Sequence, residues 1–183
     1  GIGKCYMQRA GLFDELDVAL HWHASDKTSS RFETSKACVS VKFRFEGLSA
    51  HASMSPHMGF SALDGVELLN VGANFLREHV KEDARIHYVI TDGGGQPNVV
   101  PPKAEVWYYL RSNSHHDVER ILERMRHMAQ GAALMSGTKV HEQIDSDIFE
   151  ILPNRPLSEL MQRQLERAGA PRFDDAAREF ARR

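Results

Sequence analysis

Apolar and polar positions alternate strictly from residue 37 to 45, with Ala37, Val39, Val41, Phe43 and Phe45 on one parity and Ser40, Lys42 and Arg44 on the other. A two-residue period predicts a strand with one buried face. Ser61 and Asp64 form a capping pattern, after which Leu63, Val66, Leu69, Ala73, Leu76 and Val80 recur at helical spacing and predict a helix over about 61–79. Ile86, Tyr88 and Ile90 alternate again and run into Asp92-Gly93-Gly94-Gly95, whose glycines can leave the strand through positive φ. A third strand follows, with Val106, Tyr108 and Leu110 on the core parity and Glu105, Trp107, Tyr109 and Arg111 on the other. Ser114 with Asp117 repeats the capping pattern ahead of a stripe of Val118, Ile121, Leu122, Met125, Met128 and Ala132, which Gly137 stops. Val140, Ile144 and Ile148 suggest a fourth strand. Beyond Pro153 and Pro156, Leu157, Leu160, Met161 and Leu165 predict another helix ending at Gly169.

The order from 37 to 150 is therefore strand, helix, strand, strand, helix, strand. That order is the α+β, ferredoxin-like βαββαβ arrangement: a four-stranded antiparallel sheet with both helices on one face and the other face free. Residues 1–35 fall outside it. They hold a short apolar strand, Val18 to Leu20, running into His21-Trp22-His23, and then a polar linker. The expected organisation is 1–35 as the end of one segment of a second domain, 36–152 as the inserted domain, and 153–183 as the start of the returning segment. The glycine-spaced GIGK at Gly1 and the uncapped FDDAAREFARR at the other end suggest a piece of a longer protein.

At 183 residues, with 42% hydrophobic and 26% charged, the chain has the make-up of a globular domain with a packed core, which excludes disordered and collagen-like classes. A net charge of −2 gives no field that favours nucleic acid or an anionic membrane, and no apolar run approaches the length of a membrane span. Neither partner is expected. Cys5 and Cys38 lie far apart and outside any CxxC pattern, so they read as reduced thiols in a cytoplasmic setting. The ten histidines are the first hint of chemistry.

His21 and His23 are two apart at a strand end, so at most one faces a site there; the alternative is one buried and one solvated ring. No HExxH or comparable cluster accompanies them, which leaves any metal site incomplete. His51, in Gly47-Leu48-Ser49-Ala50-His51-Ala52-Ser53, sits among small residues as either an exposed electrophile or an inert surface imidazole. Gly93-Gly94-Gly95-Gln96-Pro97-Asn98 is no phosphate cradle, because neither GKS, GKT nor a helix follows. Asn98 could offer its amide to a ligand or cap a turn. Arg111, on the open sheet face, could fork a carboxylate or join a surface ion pair.

Several long segments, in order, carry a family resemblance. They are GK-x-YM at Gly3 to Met7, DVALHWH at 17–23, GLSAHAS at 47–53, SALDGVELLNVGANFLREH at 61–79 and IHYVITDGGGQPNVVPPKAEVWYYLRSNSHHDVE at 86–119. Together they resemble the dinuclear-metal amidohydrolases and metallopeptidases that include aminoacylase and glutamate carboxypeptidase. The resemblance implies an α/β zinc-peptidase catalytic domain interrupted by a ferredoxin-like lid that pairs subunits. It implies that His23 is a metal ligand, that His51 is delivered across the dimer to stabilise the oxyanion, that Asn98 belongs to an N-x-x-P substrate segment, and that Arg111 grips the substrate carboxylate. It further implies zinc or manganese in the full-length protein, a small N-acyl amino acid substrate of the p-aminobenzoyl-glutamate type, and a homodimer formed through the lid, or pairing with a second related subunit. Ala24 departs from the Pro that relatives tend to carry there. No adjacent Glu-Glu pair is present, so the general base and most metal ligands are missing. The isolated chain is accordingly expected to be inactive and to bind no metal stably.

The rival reading is a dimerising interaction module with no catalysis of its own. A free-standing ligand- or RNA-binding ferredoxin-like domain is disfavoured by the neutral charge and the lack of an RNP-type aromatic pattern.

Overall fold

The computed structural model describes residues 3–183; Gly1 and Ile2 of the GIGK segment lie outside the described residues. The chain divides into two compact units, one spanning Ser35–Ile151 and one made of Gly3–Thr34 with Leu152–Arg183.

The first unit carries β1 (Ala37–Glu46), α2 (Ala62–Leu76), β2 (Arg85–Asp92), β3 (Lys103–Ser112), α3 (His115–Ser136) and β4 (Lys139–Ile148), with α1 (Gly3–Arg9) preceding it in the other unit. The sheet order is β2-β3-β1-β4 and every pairing is antiparallel, as the ferredoxin-like reading requires. β1 and β3 are central, which is why their alternation is complete: Val39, Val41, Phe43 and Phe45 meet Val106, Tyr108 and Leu110, all essentially inaccessible. Val66, Leu69, Ala73 and Leu76 of α2, with Val118, Ile121, Leu122 and Met125 of α3, cover that face. Inside it, the Tyr108 hydroxyl donates to Asn70 Oδ1, satisfying a polar pair that would otherwise be costly to bury.

Local chemistry sets the helix ends. Ser61 Oγ accepts from the Asp64 N–H (3.2 Å), and Gly137, at φ 67°, closes α3 while Thr138 N–H returns to Ala133 O (2.9 Å). Ser114 occupies the N-cap position of α3 but makes no side-chain cap bond. Glu150 takes that role instead, its carboxylate accepting the His115 N–H at 2.9 Å. A tertiary acceptor has displaced the local one.

β4 also departs from the sequence pattern. The register shifts opposite Ser40 and Val41, so Ile144 pairs with Val41 on the helix side whereas Ile148 pairs with Cys38 on the open side. A bulge thus splits one apparent stripe between two faces.

Asp83 ties the β2 end of the sheet to the exit of β3: its carboxylate accepts from Ser112 Oγ (2.8 Å) and from the Asn113 N–H (2.6 Å). The Asn113 N–H foremost, then the Ser112 hydroxyl, hold its pKa below the ordinary value, with Lys36 nearby. A carboxyl acidified by folding contributes stability above its ordinary pKa of 3.8 and loses it as pH falls through the lower folded value. Asp83→Asn should therefore lower the urea midpoint at pH 7, with the gap to wild type closing below about pH 4; a gap independent of pH would count against this role.

In the second unit, α4 (Arg155–Ala168) is capped by Asn154 and α5 (Asp175–Arg182) by Asp174. Residues 30–32 lie against α4: Ser30 N–H donates to Gln162 Oε1 (2.9 Å), and the Arg155 guanidinium sits 4.4 Å from the Phe32 ring centre. The strand expected at Val18 to Leu20 is not formed. Both residues are exposed and the stretch has no neighbouring strand among the described residues, so its backbone has nothing to pair with.

Candidate functional site

The His51 loop leaves β1 and is fastened at three levels. Gly47 N–H donates to Pro102 O (2.8 Å), Leu48 pairs with Phe60, and His51 itself forms an antiparallel bridge with Val99. Ala52 N–H donates to Asn98 O (2.9 Å), and Val100 N–H donates to Ala50 O (3.0 Å). These bonds lay the His51 loop directly against the Asn98 segment. Two residues far apart in sequence share one exposed polar corner, just beyond the end of the sheet where Glu46 pairs with Lys103. The turn at Asn98 is closed by Val99 N–H to Gln96 O (3.1 Å), and the Asn98 amide has no hydrogen-bond partner among the described residues. It therefore remains available.

The imidazole of His51 is held from one side. Its Nδ1 faces the Ser53 N–H (3.4 Å), the Ser53 hydroxyl (3.3 Å) and the Met54 N–H (3.3 Å). The ring is otherwise exposed.

Arg111 lies elsewhere. It pairs with Cys38 on one side and Arg85 on the other, at the opposite end of β3 from Lys103, which is about 26 Å of extended chain away. Its guanidinium carbon is 5.5 Å from the Tyr109 ring centre, and its Nε is buried with no hydrogen-bond partner. No carboxylate pairs with it among the described residues. The neighbouring Cys38 thiol is pushed up from its ordinary pKa by burial, an effect that Arg111 opposes. An arginine left without a counter-ion is suited to an incoming anion.

His23 is exposed, with Nδ1 2.9 Å from Ala24 O. Among the described residues no group of three or more His, Cys, Asp or Glu side chains is placed to hold a metal ion. The described residues do not by themselves make up a metal site. No helix of the described residues is long and apolar enough to cross a membrane.

Ser53 is legible in the sequence only as a small neighbour of His51, and nothing local marks Met54 beside that ring or Cys38 beside Arg111. The last was recoverable from strand register, because antiparallel pairing of 37–46 with 103–112 sets Cys38 opposite Arg111.

Comparison with known proteins places a peptidase dimerisation domain, that of the M20 family, over residues 34–134. The whole chain is 44% identical to part of one of the p-aminobenzoyl-glutamate hydrolase subunits of Escherichia coli (strain K12), and 86% of it is 30% identical to part of the Xaa-Arg dipeptidase of Mus musculus. The chain spans only 38% and 36% of the length of these relatives. Among solved structures, the aminobenzoyl-glutamate utilization protein from Klebsiella pneumoniae shares the fold at a TM-score of 0.62 and 24% identity, over 80% of this chain and 40% of that one.

Proposed function

The chain belongs to the M20 peptidase family, and on that basis we propose that it is the lid-bearing part of a hydrolase that cleaves the amide of N-acyl amino acids, with p-aminobenzoyl-glutamate as its substrate. The observation that carries the reading is the exposed corner where the His51 loop and Asn98 meet, with a counter-ion-free Arg111 at the other end of the sheet. His51 would donate to the oxygen of the scissile carbonyl as negative charge develops, Asn98 would hold the amino-acid part, and Arg111 would fork its carboxylate. The family is in general metal-dependent, with zinc or manganese the expected ion. His23 would supply one ligand but has no second beside it among the described residues. Unit Ser35–Ile151 is read as the lid and the flanking segments as parts of a catalytic domain. Two unpaired thiols accord with a cytoplasmic setting.

One lid cannot supply His51 and Arg111 to the same small substrate, because the length of β3 separates them. Two lids can. β2 is an edge strand, with Tyr88 and Ile90 exposed on the helix side, and α2, which packs on the neighbouring β3, exposes Val71 (49%) and Phe75 (70%). Antiparallel pairing of two β2 edges about a two-fold axis would cover this apolar face. It would also bring the Arg111 end of one sheet beside the His51 end of its partner, with the two β3 strands roughly 14 Å apart. A related subunit could pair through the same edge. Phe75→Asp lies outside the core and should leave the fold intact while converting the dimer to a monomer in light scattering; an unchanged dimer would point to another edge.

The test of function is glutamate release from p-aminobenzoyl-glutamate by this chain and by the full-length protein, each with added zinc or manganese. Turnover by the full-length protein alone is expected. For the chain in isolation the expected outcome is a pairing module without catalysis of its own, and turnover by the isolated chain would refute that.

A further inference from the structure

The inner nitrogen of His51 meets two backbone N–H groups, which can only donate, and the Ser53 hydroxyl, which can donate or accept. Backbone N–H groups cannot accept, so Ser53 N–H and Met54 N–H require Nδ1 to present its lone pair, and the freely rotating Ser53 hydroxyl can point its proton the same way. The proton of the neutral ring must then sit on Nε2, the nitrogen that faces outward from the loop. The backbone beneath is fixed as well: His51 O accepts from the Ser55 N–H at 2.9 Å, and the bridge to Val99 holds the other side.

We propose that the Ser53–Met54 turn is a tautomer lock that places the N–H of the neutral His51 imidazole on Nε2, so that the ring presents a hydrogen-bond donor outward from the loop. The inference rests on the function proposed above for the role of the donor, but the lock itself is a property of this loop. It explains why a histidine among small residues needs no carboxylate to orient it: the orienting partners are the N–H groups of its own turn. The other neutral tautomer would set the Nδ1 proton against two backbone N–H donors.

Long-range proton–nitrogen correlation spectra of this chain read the tautomer without any need for activity. A protonated Nε2 with an unprotonated Nδ1 is expected for His51, and Ser53→Ala, which leaves both backbone N–H donors in place and removes the one group able to accept from Nδ1–H, should keep that tautomer. A protonated Nδ1 in the wild type would overturn the lock, and a shift toward the other tautomer in Ser53→Ala would overturn its assignment to the backbone N–H groups. In the full-length hydrolase, His51→Ala should lower kcat by about 100-fold or more, whereas His51→Gln, whose amide carries an N–H near the Nε2 position but cannot transfer a proton, should recover about tenfold of that loss with KM unchanged. Equal loss in both variants would overturn the neutral-donor role. A full-length protein with no hydrolysis to lose would overturn the proposed function, while the spectrum still decides the lock.

Discussion

Mixing two impaired variants of the full-length protein, His51→Ala and Arg111→Ala, should restore about a quarter of the wild-type rate at substrate well below the KM of the Arg111 variant. Each variant alone loses one of its two anchors in every site. On the proposed roles, His51→Ala would remove the donor to the developing oxyanion, a loss of about 100-fold or more in kcat, and Arg111→Ala would remove the grip on the carboxylate, felt chiefly in KM. In a mixed dimer the arithmetic changes, provided that every site draws its His51 and its Arg111 from different chains. One site then carries both defects and the other carries neither. Random exchange makes half of the dimers mixed, and half of their sites intact. The proposed division rests on the separation within one lid, since Lys103 and Arg111 stand at opposite ends of β3 and the His51 corner lies beyond the Lys103 end. The measurement is glutamate release after the variants are unfolded together and refolded, or co-expressed. No rescue would mean that one lid serves one site with both residues. Adding Phe75→Asp to both variants should abolish the rescue by preventing the exchange product from forming, which separates pairing from any other cause of recovery.

How much of this was legible in the sequence follows from where each element's information resides. β1 and β3 announced themselves because central strands bury one face along their whole length, so the period of two is unbroken from Ala37 to Phe45 and from Val106 to Leu110. β4 is an edge strand with a bulge, and its apolar positions Val140, Ile144 and Ile148 share a spacing in sequence but not a face in space. The sequence points to Ser114 as the cap of α3, yet Glu150, beyond the end of β4, provides it; a carboxylate that arrives through tertiary structure leaves no local pattern. Val18 to Leu20 carried strand propensity without a partner strand, and propensity alone does not make a ladder. The site shows the same division. His51, Asn98 and Arg111 were each legible as residue types in plausible contexts. Their grouping was a matter of topology: once the strand order is fixed, the register of β1 with β3 decides that His51 and Asn98 lie near one end and Arg111 at the other.

The same register makes Gly47 the residue on which the corner depends, and Gly47→Ala is expected to destabilise the chain by about 3 kcal/mol or more and to displace His51 with it. Gly47 is the crossing point of three segments: its N–H reaches Pro102 O, while Leu48 pairs with Phe60 and Ala62 N–H donates to Pro101 O (2.8 Å). A methyl group there would overlap the carbonyl oxygen of Phe60 and stand 3.1 Å from the nitrogen of Ala62. Both obstacles are backbone, held by the bonds just named, so no side chain can rotate away to make room. Relief requires the Leu48–Phe60 bridge to open, and that bridge is what aims the loop that ends in His51. Gly95→Ala is the matched control, because nothing lies within 4 Å of its added methyl. Gly131→Ala, in the interior of α3 and equally unobstructed, should stabilise by about 0.5–1 kcal/mol through helix propensity. Denaturant midpoints for the three variants separate space from backbone freedom: a shared loss would implicate glycine flexibility, whereas a loss confined to Gly47 locates the cost in the packed crossing. If Gly47→Ala on the Gly131→Ala background folds but the proton–nitrogen spectrum of His51 changes, the crossing sets the geometry of the site as well as the stability of the fold.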